Sequence, residues 1–367
     1  MDAHHVDSRY PVLRALRRLA SVAHHHAACR VKTSDAEIPL VPSPPLVRQS
    51  SVQRQTSAVD DDASSQRYLL SRGGIRFWKN FAYEAESRPY IRVRHDIDPD
   101  QVCGVLVQEW LFSAPRIALV LISHVGPLGD WADARRLEGF RRGLLRAANA
   151  TPMWLVTNGF NTGLAKLVGD AVSHELRRRQ ALRCHKHPNR TRASLPPLRL
   201  LGIVREDMLV NADLLDGRAD VQIENEGNRP DEGKFELNPD HSNYVLVRDE
   251  TVNRTGLNHF VLRLEQRLIN LSDQAPMAAS SGGGDKEGGV AELPLIALLV
   301  SGGDGCARLV LEHLKRQLPV VVFEGSGGLA DLLAFAYREV QRRCAALPSI
   351  SSLHVASESR GTVSACV

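Results

Sequence analysis

Short, fully apolar runs alternate along this chain with longer segments in which apolar residues recur every three or four positions. The continuous runs predict buried strands at Ile117–Ser123, Met153–Thr157, Leu198–Val204, Tyr244–Val247, Leu295–Val300 and Val320–Phe323. The segments with helical spacing predict helices at Asp130–Ala148, Gly163–Gln180, Asn258–Leu271, Cys306–Gln317 and Leu329–Arg343.

The region before the first buried strand has a different pattern. "GGIRFWKN" and "RPYIRVRHDID" alternate apolar with charged residues, which is typical of short, half-exposed strands. The turn signal "DIDPD" follows, and then a helix is predicted over Gln101–Phe112.

Apolar strands that alternate with helices indicate parallel strands covered on both faces. The fold class predicted is therefore α/β, a Rossmann-like, doubly wound and mostly parallel sheet with helices on both faces.

Composition divides the chain into one domain and its flanking segments. Residues 1–66 are rich in Ser, Pro, His and scattered charge and predict a disordered tail. One domain is expected over 67–345, with a basic insertion at 181–199 and a flexible linker at 275–292. Residues 346–367 lack periodicity and predict a frayed end.

Three loops that follow predicted strands carry glycine: "TNGFNTG", "SGGDG" and "EGSGG". Glycine adopts positive φ and lets a ligand approach the backbone, and a helix N-terminus favours phosphate. Tight turns need glycine for steric reasons alone, and no loop is a Walker A or a GxGxxG motif. Taken together, the loops predict a nucleotide-type pocket lined by Asn158, Gly159, Asn161, Thr162, Gly163, Gly302, Gly303, Gly325, Ser326 and Gly327.

Composition and apolar run lengths exclude other classes of function. A net charge of +4 over 367 residues does not indicate a nucleic-acid partner. No metal is expected, since Cys184, His185 and His187 lack a suitably spaced fourth ligand. The longest apolar runs, "IALVLI" and "LPLIALLV", are far shorter than the roughly 20 residues of a membrane-spanning helix, so none is predicted.

The segment from Arg177 to Arg199 contains eight basic residues and no acidic one. It predicts a contact with anionic lipid or polyphosphate near a membrane, and a solvated loop is the alternative interpretation. The candidate residues are Arg177, Arg178, Arg179, Lys186, Arg190 and Arg192.

Several motifs together resemble a known family. "WLVTNGFNTGLAKLVGDAV" is similar to a strand–loop–helix motif in the N-terminal region of melastatin-type TRP (TRPM) cation channels. "RPYIRVRHDIDPDQVCGVLVQEWLFSAPRIALVLI", "LNPDHSNYVLVRDETVNRTG", "LPLIALLVSGGDG" and "PVVVFEGSGGLADLLAFAY" resemble further segments of that region, in the same order. The resemblance runs from about Tyr68 to Tyr337.

The resemblance implies a fold of the SLOG class. It also implies a cytosolic domain that senses nucleotide-type ligands in some members and packs against neighbouring subunits of a homotetramer. The channel would be a calcium-permeable, non-selective cation channel, and its pore would lie beyond residue 367.

The chain departs from this family at positions that matter for a ligand. Where ADP-ribose-gated members carry an arginine after Gly-Ser-Gly, this chain has Gly328, and Thr255 replaces a tyrosine. Only Arg263 lies near the place of a second arginine, one position out of register. The expectation is that no ADP-ribose gating occurs, since such arginine contacts to phosphate are among the strongest polar contacts.

An enzyme is the alternative reading, and no catalytic residues are assigned. Nucleoside-monophosphate phosphoribohydrolases of the same fold superfamily carry Pro-Gly-Gly-x-Gly-Thr with a glutamate soon after. "SGGDGCARLVLE" keeps the glycines but lacks the proline and threonine, and Glu312 comes too late. A soluble nucleotide-binding protein of the SLOG type, or a purely structural module with an empty pocket, also remains open.

Overall fold

The computed structural model describes residues 69–79, 82–83, 86–113, 115–128, 134–184, 195–271 and 293–346. Its strands are β1 (Leu69–Lys79), β2 (Ala82–Tyr83), β3 (Arg88–Arg94), β4 (Ile117–Ile122), β5 (Met153–Thr157), β6 (Leu198–Arg205), β7 (Val221–Ile223), β8 (Asn243–Arg248), β9 (Leu295–Val300) and β10 (Val320–Phe323). Its α-helices are α1 (Pro99–Gly104), α2 (Ala134–Ala150), α3 (Gly163–Cys184), α4 (Gly256–Leu271), α5 (Asp304–Lys315) and α6 (Gly328–Ala346).

One sheet runs through the described residues in the order β10-β9-β4-β5-β6-β8-β3-β1-β2, with β7 beside β1. Every neighbouring pair from β10 to β3 is parallel. The pair β3–β1 is antiparallel, so the first hairpin closes one end of the sheet. The predicted Rossmann-like, mostly parallel α/β fold is confirmed.

Apolar contacts cover both faces of the parallel strands. Phe140 and Leu144 of α2 pack with Val168 and Val172 of α3 on one face. Phe260 of α4, Val310 of α5 and Ala330 of α6 belong to the core on the other face. Strands β4, β5 and β9 are buried along their whole length, and apart from Thr157 at the end of β5 their side chains are apolar on both faces, as helices on both sides require.

A third apolar cluster lies under the first hairpin. Phe77, Tyr90, Phe235 and Tyr244 are among its buried aromatic residues. The segment between β6 and β8 supplies Phe235 and contains β7, a short strand that the sequence pattern does not predict. This segment therefore covers β1, β3 and β8.

One predicted helix differs from the structure in its bounds. The helix predicted over Gln101–Phe112 instead begins at Pro99, where Asp98 accepts a hydrogen bond from the Asp100 N–H (3.0 Å), and ends at Gly104. A π-helical turn, Val105–Glu109, continues the chain. The wider turn is closed by the Trp110 N–H, which donates to the Val105 carbonyl oxygen at 2.9 Å.

The other predicted elements lie within a few residues of their predicted bounds. Helix α3 extends to Cys184, so it includes the first four residues of the predicted insertion at 181–199. The predicted tail (1–66), the whole linker at 275–292 and all but the first residue of the end at 346–367 lie outside the described residues.

Candidate functional site

The connections of the sheet reverse direction between β4 and β9. From β4 the chain proceeds through β5, β6 and β8 toward β3, whereas β9 lies on the other side of β4 and leads outward to β10. In doubly wound sheets, ligands bind outside the carboxyl ends of the strands at such a switch point. The connection after β4 (residues 123–128, the β4 loop) and the β9–α5 turn (residues 301–303) flank this point.

The three glycine loops lie at this same edge, because their strands are parallel. The β9–α5 turn contacts the β10–α6 turn (residues 324–327): the Ser301 N–H donates to Ser326 Oγ at 2.7 Å. A Cβ atom on Gly303 would lie 3.9 Å from His124 Cβ in the β4 loop. The β4 loop in turn contacts α3, where a Cβ atom on Gly163 would overlap the Gly126 carbonyl oxygen. The β4 loop thus joins the β5–α3 loop (residues 158–162) to the other two.

Three backbone N–H groups of the β5–α3 loop already donate hydrogen bonds to acceptors within the protein. The Gly159 N–H donates to Thr157 Oγ1 (3.0 Å), and the Phe160 N–H donates to Asn158 Oδ1 (3.2 Å). The Asn161 N–H donates to the Glu236 carbonyl oxygen at 2.7 Å. These three N–H groups are therefore engaged within the protein rather than directed at a ligand.

A buried polar network fixes the shape of this loop. His241 Nε2 lies 2.7 Å from Thr157 Oγ1, and His241 Nδ1 lies 3.1 Å from Asn238 Oδ1. Burial lowers the pKa of His241 to about 3, so its imidazole is neutral near pH 7. Asn238 also donates to Asn161 Oδ1 at 3.2 Å. Gly169 of α3 gives room to Asn238, whose side chain a Cβ atom there would overlap.

Thr157, His241 and Asn238 have the connectivity of a nucleophile–base–orienting triad, but their burial opposes catalysis. Thr157 is 5% exposed and His241 is 0% exposed. A nucleophile must reach a substrate carbonyl or phosphoryl group, which a fully covered hydroxyl does not do. The sequence pattern missed this network because its members lie 84 residues apart, and we interpret it as structural.

The β10–α6 turn is filled by a side chain of its own helix. Asp331 accepts hydrogen bonds from the Gly325 N–H (2.6 Å, Oδ1) and the Gly327 N–H (3.2 Å, Oδ2). Its carboxylate stands where backbone donors at a helix N-terminus would otherwise bind a phosphate. Ser326 is buried and donates to the Phe323 carbonyl oxygen at 2.6 Å. Its hydroxyl is therefore not directed at a ligand.

The β9–α5 turn is different. Gly302 is buried at φ +90°, whereas Gly303, Asp304 and Gly305 are exposed. Gly303 is the N-cap of α5, and no side chain caps this helix. In the β10–α6 turn Asp331 accepts from two N–H groups, whereas the β9–α5 turn leads into an exposed helix start that has no side-chain cap.

The remaining predicted positions of this loop set keep their places at the edge. Thr162 accepts a hydrogen bond from the Lys166 N–H through its carbonyl oxygen at 3.2 Å, as the residue before α3. Gly163 has φ +54° and Gly327 has φ +87°, so both need the left-handed region that glycine tolerates. The assignment of these residues to a ligand stays a prediction.

Two departures noted in the sequence have a structural counterpart. Arg263 donates to the His95 carbonyl oxygen at 2.6 Å, so its guanidinium already has an internal partner. Gly328 adopts φ +55°, and a Cβ atom there would overlap the Gly302 carbonyl oxygen. An arginine at this position would need a different path of the turn.

The predicted basic contact surface is also changed by the structure. Arg179 is 7% exposed and donates to Glu175 Oε1 (3.2 Å) and the Pro196 carbonyl oxygen (2.6 Å). The surface role predicted for Arg179 is therefore wrong. Arg178 is exposed while it donates two hydrogen bonds of 2.7 Å to Glu175. Arg177 is exposed and lies 3.4 Å from Ser173. Lys186, Arg190 and Arg192 lie outside the described residues.

Comparisons with known proteins agree with the fold. A family model described as "SLOG in TRPM" matches residues 88–355. The chain belongs to this family. The predicted relationship to TRPM channels is thereby confirmed.

Individual relatives match over most of this chain. It is 29% identical over 297 residues to transient receptor potential cation channel subfamily M member 7 of Homo sapiens, covering 80% of this chain and 14% of the relative. It is 29% identical over 266 residues to subfamily M member-like 2 of Nematostella vectensis, covering 70% of this chain and 15% of that relative. Subfamily M member 6 of Homo sapiens is 30% identical over 255 residues, 68% of this chain.

The chain therefore spans about one-seventh of the length of the curated relatives it matches. Within the part of the chain that the structure describes, no helix is both long and apolar enough to cross a bilayer. The same residues contain no group of three His, Cys, Asp or Glu side chains arranged to hold a metal ion.

Proposed function

We propose that this chain is a ligand-sensing and subunit-assembly domain of a TRPM-like, calcium-permeable and non-selective cation channel. In that role it lies on the cytosolic face of a membrane and serves ion transport without forming the pore. The family match over residues 88–355 supports this proposal, and the relatives' names describe cation channels.

The proposed ligand is a nucleotide or a related phosphate compound, bound at the switch point between β4 and β9. The observation that carries this proposal is the difference among the three glycine loops. In the β5–α3 loop, three N–H groups, from Gly159 to Asn161, donate to acceptors within the protein. In the β10–α6 turn, Asp331 accepts from the Gly325 and Gly327 N–H groups. The β9–α5 turn keeps an exposed, uncapped helix start beside His124, and such a start favours a phosphate.

ADP-ribose itself is not the proposed ligand. Gly328 and Thr255 stand at two positions where ADP-ribose-gated members carry an arginine and a tyrosine, and Arg263 is already bound to His95. Each charged hydrogen bond to phosphate contributes roughly 1.5–3 kcal/mol, so losing two such contacts lowers affinity by at least a hundredfold.

Calorimetric titration of the 367-residue chain with adenosine mono-, di- and triphosphate and with ADP-ribose tests this proposal. The account predicts measurable binding for at least one mononucleotide and none at micromolar concentration for ADP-ribose. Micromolar binding of ADP-ribose, or no binding by any of them, contradicts the proposed ligand.

The enzyme alternative is checked by incubating the chain with nucleoside monophosphates and measuring release of the free base. The structure does not favour this reaction, since Glu312 lies in the last turns of α5 and bonds Lys315 at 2.9 Å. Eight residues of helix, about 12 Å, separate it from the glycine turn. Release of the base at a rate that depends on Glu312 would replace our proposal.

Assembly with neighbouring subunits, as a homotetramer, is the second part of the proposal. Leu332 and Phe335 of α6 are each 61% exposed, and exposed apolar patches of this kind often mark protein interfaces. Analytical ultracentrifugation of the chain is expected to show self-association that weakens in Phe335→Glu. A monomer at all concentrations contradicts assembly through this domain.

A further inference from the structure

Charge is distributed unequally between the two helical layers. Helix α2 carries five arginines and one acidic residue, and α3 carries five basic and two acidic residues. On the opposite face, α4, α5 and α6 together carry seven basic and five acidic residues. Since the whole chain has a net charge of only +4, the excess of positive charge lies in the α2–α3 layer.

Three of the five arginines of α2 form a stripe directed at solvent. Phe140, Leu144, Ala147 and Ala148 are the buried residues of this helix. At 100° per residue, Arg142 and Arg146 lie on the side opposite to those four, and so does Arg135. The stripe from Arg135 to Arg146 is about 16 Å long at 1.5 Å per residue. Arg142 is 79% exposed although it bonds Glu138 at 2.7 Å.

Helix α3 extends this stripe sideways. Asn149, near the end of α2, donates to Glu175 Oε1 at 3.0 Å, and Glu175 also holds Arg178. Arg178 is therefore fixed one helix away from Arg146, with about half of its side chain exposed. We name the exposed residues Arg142, Arg146, Arg177 and Arg178 the α2–α3 basic surface.

The α2–α3 basic surface lies toward the far ends of α2 and α3, away from the candidate ligand site. Arg136, at the start of α2 and outside this surface, instead lies against the β10–α6 turn, where a Cβ atom on Gly325 would overlap its guanidinium. Arg179, next to the basic surface in sequence, bonds the carbonyl oxygen of Pro196, just before β6 begins. The Arg116 N–H likewise donates to the Pro152 carbonyl oxygen between α2 and β5. The ends of α2 and α3 thus lie at the amino edge of the strands, whereas the glycine loops lie at the carboxyl edge.

We infer that the α2–α3 basic surface docks on an anionic lipid surface. Arginine is suited to phosphate groups because its planar guanidinium donates two parallel hydrogen bonds. A surface spread over two helices fits an extended array of headgroups better than one small ligand, and anionic leaflets attract basic segments. The choice of a membrane rests on the proposed function, which puts this domain beside one.

The test is sedimentation of the chain with vesicles of phosphatidylcholine alone or of an equimolar mixture with phosphatidylserine. Binding is expected only to the mixed vesicles. Arg142→Glu combined with Arg146→Glu is expected to weaken it at least tenfold, since each basic residue near such a surface contributes about fivefold, or about 1 kcal/mol. The neutral pair Arg142→Gln and Arg146→Gln should show a smaller loss, and it covers the case in which charge reversal impairs folding.

Helix α6 offers a matched control on the opposite face. Arg342 and Arg343 are exposed like Arg142, and they bond Glu339 as Arg142 bonds Glu138. Arg342→Glu with Arg343→Glu makes the same change in net charge and is expected to alter vesicle binding less than about twofold. If the α2 and α6 double variants lost vesicle binding equally, net charge alone would explain the effect, and the inference would be overturned.

Three further outcomes would also overturn it: no binding to the mixed vesicles, unchanged binding by the α2 variants, or binding of soluble polyphosphate, RNA or an acidic peptide without binding of vesicles. Nucleotide titration of the same α2 variants separates this inference from the proposed ligand site. If the α2 variants bind nucleotide but no longer bind vesicles, both proposals stand. If the wild-type chain binds vesicles but no nucleotide, only the proposed nucleotide ligand is contradicted.

Discussion

The β9–α5 turn and the β10–α6 turn follow similar apolar strands and have similar glycine content, yet the structure treats them differently. In the β10–α6 turn, Asp331 accepts hydrogen bonds from two backbone N–H groups, and Ser326 is buried. In the β9–α5 turn, Gly303 is exposed and no side chain caps the helix. A glycine-rich turn before a helix therefore indicates an anion site only when no carboxylate of the same helix occupies it.

The same substitution at the glycine beside each helix start, Gly328 of α6 and Gly303 before α5, should break this resemblance most clearly. Gly328→Ser requires φ +55° and places Cβ against the Gly302 carbonyl oxygen, so we expect a loss of about 3–4 kcal/mol of unfolding free energy. Gly303→Ser has extended backbone (φ −118°, ψ −168°) and supplies an N-cap, so it should gain a few tenths of a kcal/mol. Urea unfolding measures both, and equal losses would contradict the described turn geometry.

Glu175 makes the unfolding free energy of the fold depend on pH, so the two turns should be compared above about pH 4.5. Hydrogen bonds from Arg178, then from Asn149 and Arg179, lower its pKa from 4.5 to about 2. A lowered folded-state pKa stabilises the fold above about pH 4.5, and this contribution, up to about 3 kcal/mol, is lost as pH falls toward 2. Unfolding free energy measured against pH should lose this slope in Glu175→Gln, while Glu138→Gln on the α2 surface keeps it. A wild-type profile without the slope would contradict the buried pair.

Removing the carboxylate of Asp331 tests what fills the β10–α6 turn. Asp331→Ala leaves two N–H groups without their acceptor and is expected to cost about 1–2 kcal/mol of unfolding free energy. Asp304→Ala, at the start of α5, is the matched control, because Asp304 is exposed and no side chain caps that helix. The account fails here if both variants lose the same amount.

The smallest effect concerns inorganic phosphate. In Asp331→Ala the vacated turn should bind phosphate. Added phosphate is therefore expected to raise the unfolding free energy of the variant more than that of wild type, by a difference of less than about 1 kcal/mol. Thermal unfolding with and without phosphate measures this difference, and sodium chloride at the same ionic strength is the salt control. A variant that responds no more than wild type would show that Asp331 does not occupy an anion position.

Much of the fold could be predicted because short apolar runs are strong local signals. Met153–Thr157, Leu295–Val300 and Val320–Phe323 have their predicted bounds in the structure. Strand β7 was missed because three residues give no periodicity, and the π-turn at Val105–Glu109 was missed because it depends on tertiary packing. Local pattern cannot supply either feature.

The sequence predicted where the glycine loops of the candidate site lie, but not which groups accept hydrogen bonds from their N–H groups. Parallel strands imply that the glycine loops share one edge, and they do. The occupation of their N–H groups depends on Asp331, Glu236 and His241, which lie outside the glycine motifs. Asp331 had a usable signal, an acidic residue in the first turn of a helix, which often caps backbone N–H groups.

The central claim is that a phosphate ligand binds at the β9–α5 turn and not at the β10–α6 turn. Calorimetry with the best-bound mononucleotide should compare wild type, Gly303→Leu, Asp331→Ala and the control Gly139→Leu, whose Cβ would meet open space in α2. The account predicts that Gly303→Leu abolishes binding while Asp331→Ala and Gly139→Leu retain it. Binding that survives in Gly303→Leu would contradict the account.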